Sequence, residues 1–487
     1  MADPVLARLD RARGGRFPLL PVAVVVLIGL LALGFGPYVL VAAVGIPLLL
    51  VILRRPQLGV LVFAALIPLN GLLIVAGLPS WFGGWKEFVV GSVFVVSLFA
   101  RPEVRGKPGR GRPTWLPALV GFILVGFVSA GMVLGTQALI GLKIDFYNVL
   151  LAIAIWRCPL SKRERDALIT IFMVVAFGTA VYGIVQQSIG QATLHSWGYA
   201  YDETIRFTSG FRLRSFSTFN QPFPFAFYLM LTILLGLPQA LSDLKRLRNR
   251  LFLLSLPVLG VALVFTYVRA AWLGLGLGFL YLAFHRYKWL LLTIPLALVA
   301  LLFLPGGTFN KAAFQSASFH ERTTLWTDKF KQIVDNPFGS GIASTGAAAA
   351  KVSDSSGSNS NSSSTNATLL QPDNSYLKTA FELGLPGLWL QLLFLVALVM
   401  WSRVVERLCE KVGRHFDARF MMSFTAQLLA LMAAATVATY FEMIPMEPLF
   451  WLMVGVTACI GGEVSRGSDR ATVALPGPMS RRFRALQ

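Results

Sequence analysis

Charge is scarce in this chain: Asp, Glu, Lys and Arg make up 14% of its 487 residues, against roughly a quarter in soluble globular proteins. Acid is scarcer still than base, 23 residues to 43, and there are only 4 histidines and 3 cysteines. Cys158, Cys409 and Cys459 are far apart in the sequence, which excludes a disulfide framework and any close metal-ligand pair. No Gly-rich loop of the Walker type occurs, which removes support for ATP-driven transport. Neither a metal nor an organic cofactor is expected.

Apolar residues are what the chain has in abundance, at 55% and a mean hydropathy of +0.67. Crossing a ~30 Å hydrocarbon core as helix takes about 20 apolar residues, and runs near that length recur along most of the sequence. The reading is an all-α, polytopic membrane bundle with 12 to 14 spans. Fourteen runs lie near 17–36, 37–53, 58–78, 87–100, 115–135, 139–156, 167–187, 222–240, 251–267, 270–284, 289–305, 375–401, 420–440 and 447–462. The first has a basic leader but no small-residue cleavage site after it, so it is expected to be retained.

Lys and Arg resist translocation, so their distribution among short loops orients the chain. Counting from a cytoplasmic N-terminus, alternate loops collect most of the 43 basic residues: Arg8 to Arg16, Arg54 and Arg55, Arg101 to Arg112, Arg157 to Arg165, Lys245 to Arg250, Arg286 and Lys288, Arg403 to Arg419, and Arg466 to Arg484. The formal excess of +20 is thereby explained by topology and by anionic lipid at the inner leaflet; nucleic acid is not an expected partner. Residues 1–16 and 465–487 become cytoplasmic tails around a transmembrane domain at 17–464. Two long loops, 188–221 and 306–374, face outward, the second carrying a Ser/Asn tract at 343–370 whose composition is that of a disordered insertion.

Arg269 interrupts a stretch, Leu251 to Leu304, that is otherwise almost wholly apolar, with no acid within twenty positions. One helix from Leu251 to Phe284 would be about 50 Å long, too long for one crossing, so the chain is expected to fold back at Tyr267, Val268 and Arg269. That places the arginine at the outer surface, together with Arg206, Arg212 and Arg214 from the first outer loop and Arg322 from the second. Outer arginines run against the topological bias, and a guanidinium fork binds phosphate oxygens bidentately. Snorkelling to lipid phosphate is the simpler role for any one of them; convergence of several would suit a pyrophosphate.

Five segments occur in order: YGIVQQSIG (182–190), RLRSFSTFNQPFPFAFYL (212–229), VRAAWLGL (268–275), ERTTLWTDKFKQIVDNPFGSGI (321–342) and DNSYLKTAFELGLPGLW (373–389). Together they resemble the bacterial O-antigen ligase and polymerase superfamily over roughly residues 170–400. The resemblance implies metal-independent glycosyl transfer from an undecaprenyl-pyrophosphate-linked glycan donor to a glycan or glycolipid acceptor. It implies a site on the outer face of the bacterial inner membrane, and surface polysaccharide synthesis as the setting. By position, Arg212 or Arg214, Arg269 and Arg322 would hold the carrier diphosphate. Where ligases carry His before Asn, this chain has Asp373 before Asn374, which favours polymerase-type transfer over ligation.

Glycosyl transfer needs charge stabilisation on the leaving diphosphate and a base for the acceptor hydroxyl. Asp373 and Glu382 are the candidate carboxylates, with Arg269 the principal cation. Asp373 has three open roles: helix cap, base, or partner of an arginine. Glu382 falls about two turns further in, where a lone carboxylate is costly unless paired. His320, Arg206, Glu442 and Glu447 are weaker candidates. Trp272, Trp326 and Trp389 suit interfacial anchoring. The competing class is a transporter of a small anion or lipid-linked solute, but no inverted repeat is visible.

Overall fold

The computed structural model describes residues 37–75, 80–100, 113–199, 207–208, 212–219, 221–292, 326–327, 329–346, 348–349 and 373–474. The helices in chain order are α1 (Pro37–Arg54), α2 (Pro56–Leu66), α3 (Asn70–Val75), α4 (Trp85–Phe99), α5 (Leu116–Val133), α6 (Gly135–Phe146), α7 (Val149–Arg157) and α8 (Lys162–Ile189). They continue with α9 (Gln191–Ser196), α10 (Pro222–Ser242), α11 (Leu247–Phe265), α12 (Arg269–His285), α13 (Ser375–Lys411), α14 (His415–Ala434) and α15 (Met446–Ala474). Two short strands, β1 (Phe207–Thr208) and β2 (Arg212–Leu213), pair antiparallel. Residues 329–335 are also helical.

Eight helices among the described residues are long and apolar enough to cross a membrane, and the pair α6 and α7, bent by 49° at a break, makes a ninth. The chain is an integral membrane protein built as a helical bundle. The run expected at 17–36, and residues 293–305 of the one expected at 289–305, fall outside the described residues.

α10 lies at the centre, buried along nearly its whole length from Pro222 to Ala240. α12 packs between α10 and α14 at close range: a Cβ on Gly274 would come 2.8 Å from Ala430 O and 2.6 Å from Met230 Sδ, so a small residue is what permits the approach. In contrast, Phe127, Val128, Leu254 and Met400 face outward from the bundle, as expected of side chains whose solvent is lipid.

The two ends differ in chemistry. At one, buried Arg165 pairs with Asp417 (3.2 Å) and Glu463 (3.1 Å), and Arg246 and Arg248 both reach Asp166. Here lie the basic loops that the charge rule assigns to the cytoplasm, and we call this the basic end. At the far end α11 turns into α12 through Thr266, Tyr267 and Val268, where the sequence requires the fold-back. Tyr267 takes φ +53° in this turn, and Val268 N donates to Thr266 Oγ1 (3.2 Å).

Candidate functional site

At the far end the first outer-loop segment is laid across α8 by two glutamines. Gln186 Oε1 accepts from Phe216 N (3.2 Å) and Ser217 N (2.7 Å), and its Nε2 donates to Ser217 O (3.1 Å). Gln187 Nε2 donates to Leu213 O (2.8 Å) and Ser215 Oγ (2.7 Å), while Ser215 Oγ itself donates to Gly183 O (2.6 Å). Gln186 is fully buried, so its amide replaces the sheet or helix partners that an irregular backbone would lack. The YGIVQQSIG segment therefore serves to hold the RLRSFSTF segment.

That segment delivers Arg214 to the far-end turn. Ser215 N donates to Phe265 O (2.9 Å) and Arg214 Nε to Thr266 O (3.1 Å), with the guanidinium 5.0 Å from the Phe223 ring centroid. Arg269 is the first residue of α12, three positions after Thr266, and is exposed. Two arginines from distant motifs, both expected from sequence on the outer side, thus meet at one turn. Arg212 lies in β2 beside Thr208, and its side chain lies outside the described residues, as do Arg206, His320 and Arg322.

Asp373 reaches the same end from another direction. Ser375 N donates to Ala435 O (2.9 Å), and Ser375 Oγ links Ala438 O to Tyr440 N, so the start of α13 is pinned to the segment after α14. α14 also packs against α12, the helix that Arg269 begins. The cap of α13 is Asn374, whose Oδ1 accepts from Tyr376 N (2.9 Å) and Leu377 N (3.0 Å). Asp373, half-buried and one residue earlier, is therefore not needed as the cap.

One turn into α13 the bundle encloses an ionic cluster. Lys378 Nζ lies 3.1 Å from Asp145 Oδ1 on α6, 3.1 Å from Glu382 Oε2 on its own helix, and 2.8 Å from Glu442 Oε1 in the segment before α15. Glu447 stands beside them, accepting from Asn148 Nδ2 (2.9 Å). Lys378, Glu382 and Glu447 are buried, Glu382 completely. These groups line a cavity of about 50 Å³ together with Gln391, which offers room for about three or four waters. Four carboxyls face one ammonium. Among the described residues, Gln391 Oε1 and Glu447 Oε1 are buried without a hydrogen-bond partner.

The floor of this site is a backbone exchange at a helix break. Pro386 has no N–H and clashes with the carbonyl four residues back, which is Glu382 O; α13 breaks at Gly384 (φ 71°, ψ −178°). The freed groups pair with residues 337–341. Ser340 N donates to Phe381 O (2.8 Å), Gly341 N to Glu382 O (3.1 Å), and Leu385 N to Pro337 O (2.8 Å). Ser129 Oγ adds a second bond to Glu382 O (3.1 Å). The chain continues inward, with Ile342 and Thr345 fully buried, and Thr345 N donates to Glu382 Oε1 (3.1 Å). Residues 341–346, part of the second outer loop by sequence, thus pack into the bundle and meet the Glu382 carboxylate.

Beside the break, Lys329 Nζ sits 3.9 Å from the Phe381 ring centroid. Burial pushes its ammonium below the usual lysine range, opposed by the charge of Glu382.

Of the residues named from sequence, Arg214, Arg269 and Asp373 are brought to one end, and Glu382, Glu442 and Glu447 to the cluster below it. Lys378, Asp145 and Gln391 were missed. A signal existed for Lys378: it is the lysine four residues before Glu382 in a segment destined for burial, which is ion-pair spacing on a helix. Among the described residues no group of three or more His, Cys, Asp or Glu is arranged to hold a metal ion.

No curated protein matches the chain in sequence. Residues 251–390 match the family model described as O-Antigen ligase, a stretch running from α11 through the helix break of α13.

Proposed function

Because the chain belongs to the O-antigen ligase and polymerase superfamily, we propose that it transfers or polymerises glycans carried on a polyprenyl pyrophosphate, at the far end of the bundle, which faces the exterior. In this reading the acceptor hydroxyl attacks the anomeric carbon of the donor glycan. The bond from that carbon to the phosphate oxygen breaks, and the electron pair leaves with the carrier diphosphate. Arg214 and Arg269 stabilise the charge that develops there, a role that fixed cations fill without proton transfer. The hydroxyl proton passes to Asp373. The buried acids beneath, Glu382 included, shape the acceptor side and do not leave the ion cluster. Chain extension is favoured over ligation because an aspartate stands before Asn374 where ligases carry histidine.

The single observation carrying this reading is the shared turn: Arg214, delivered by the glutamine-held segment, bonds to Thr266 O three residues before Arg269. Its support is that two cations retained against the orientation bias stand together on the side where a lipid-linked donor would present its diphosphate.

The reading is tested by binding of polyprenyl pyrophosphate without sugar to protein in lipid nanodiscs. A charge-assisted hydrogen bond contributes about 1.5–3 kcal/mol, so Arg214→Ala and Arg269→Ala should each weaken binding by roughly 10-fold to 150-fold. Wild-type affinity in both variants would remove the diphosphate role.

A further inference from the structure

The ion cluster under the far end is more than a set of paired charges. Its one ammonium gathers acids from three separate parts of the chain: Asp145 from α6, Glu382 from α13, and Glu442 from the segment that follows α14. Through Glu382 Oε1 the tie extends to Thr345 N in the inward loop. Lys378 also belongs to the first turn of α13, its backbone N donating to Asn374 O (3.0 Å). That turn carries Asp373 at its entrance, and Ser375 binds it to Ala435 and Tyr440. The turn that carries Asp373 is therefore held to α6 and to the segment after α14 by Lys378 directly, and to the inward loop through Glu382.

We infer that Lys378 is the positioning residue of the transfer site: its ammonium locks the start of α13, and with it Asp373, against α6 and the segment after α14. The inference rests on the glycosyl-transfer reading. It differs from a lone structural ion pair because Lys378 joins the turn that carries Asp373 to both α6 and the segment after α14. A three-point ionic tie one turn below Asp373 restrains orientation where small displacements are expensive for turnover.

Two measurements on Lys378→Met, Lys378→Arg and Glu442→Gln test it. The first is steady-state transfer with a carrier-linked oligosaccharide. Lys378→Met should lower kcat at least 100-fold while the donor KM moves less than about 3-fold. Lys378→Arg, which keeps the charge, should recover at least 10-fold of that loss. Glu442→Gln, which removes one arm of the tie, should lower kcat about 10-fold. Wild-type kcat in Lys378→Met, or a loss that appears wholly in the donor KM, overturns the inference. Should Lys378→Met fail to fold, Glu442→Gln decides: an unchanged kcat there overturns it.

The second measurement is melting temperature against pH, and it is independent of activity. The charged groups facing Lys378 are Asp145, Glu382 and Glu442, with Glu447 beside them and Lys329 coupled to Glu382. Without the ammonium, the enclosed carboxylates of Glu382 and Glu442 lose the cation they share and carry charge only at a cost, whereas in the unfolded chain such acids ionise above about pH 4–4.5. Folding then takes up protons, so the melting temperature of Lys378→Met should fall more steeply than that of wild type as pH rises from 5 to 8. Parallel curves would show that the ionic tie is absent and would overturn the inference. If wild-type protein transfers no carrier-linked donor, the proposed function fails by itself, and the pH curves still decide whether the tie exists.

Discussion

Replacing Gly384 by alanine tests the helix break on which the site rests. Gly384 occupies φ 71°, ψ −178°, a region open to glycine alone in practice and worth about 1–3 kcal/mol of strain for another residue. The added Cβ would also lie 2.5 Å from Pro337 O and 2.5 Å from Phe338 C. Those are backbone atoms that cannot rotate aside, and forced overpacking adds roughly 1–3 kcal/mol. The sum, about 2–6 kcal/mol, would lower the melting temperature of the purified protein by several degrees. Gly276 is the matched control: in the middle of α12, it would present its new Cβ to open space. Gly276→Ala should therefore be neutral or stabilise by about 0.5–1 kcal/mol. If Gly384→Ala melts together with Gly276→Ala, the exchange between residues 337–341 and the α13 break is wrong.

Three further outcomes are expected. Gln186→Ala strips the partners from the buried N–H groups of Phe216 and Ser217, at about 1–3 kcal/mol each; it should lower thermal stability and, by loosening Arg214, reduce diphosphate binding as well. Arg165→Met leaves Asp417 and Glu463 to Arg414 at the basic end, and should cost about 3 kcal/mol or more, read from denaturation of the purified protein. All three cysteines are buried, so native protein should resist maleimide, and single cysteines at exposed Thr436 and Lys411 report sidedness: an impermeant maleimide should label Thr436→Cys in intact cells and Lys411→Cys only after permeabilisation.

Much of the bundle was legible in the sequence because lipid imposes one rule on every span, and hydropathy reads that rule directly. The reversal at Tyr267 to Arg269 followed from length and from the charge of the later loops, and α11 and α12 meet there. The inward course of residues 341–346 was not legible from hydropathy, since polar backbone is tolerated inside a membrane protein only where partners exist, and the loop enters by pairing with backbone groups left open where α13 breaks. The Pro and Gly of ELGLPG mark a break, but what fills a break depends on residues some forty positions earlier in the chain. For the same reason Glu442 and Glu447 could be suspected as outer acids while their meeting with Lys378 and Asp145 could not. Asp373 shows how adjacent polar residues divide their roles: side-chain geometry gives the cap to Asn374, a distinction that composition cannot make.

The most direct measurement is transfer by purified protein in lipid nanodiscs supplied with a polyprenyl-pyrophosphate-linked oligosaccharide, following product length and released carrier diphosphate. The account predicts lengthened glycan with one diphosphate released per bond formed, and a rate at least 100-fold lower in each of Arg214→Ala, Arg269→Ala and Asp373→Ala at normal folding. Wild-type rates in all three variants, or no transfer by folded wild-type protein from any carrier-linked donor, would contradict it.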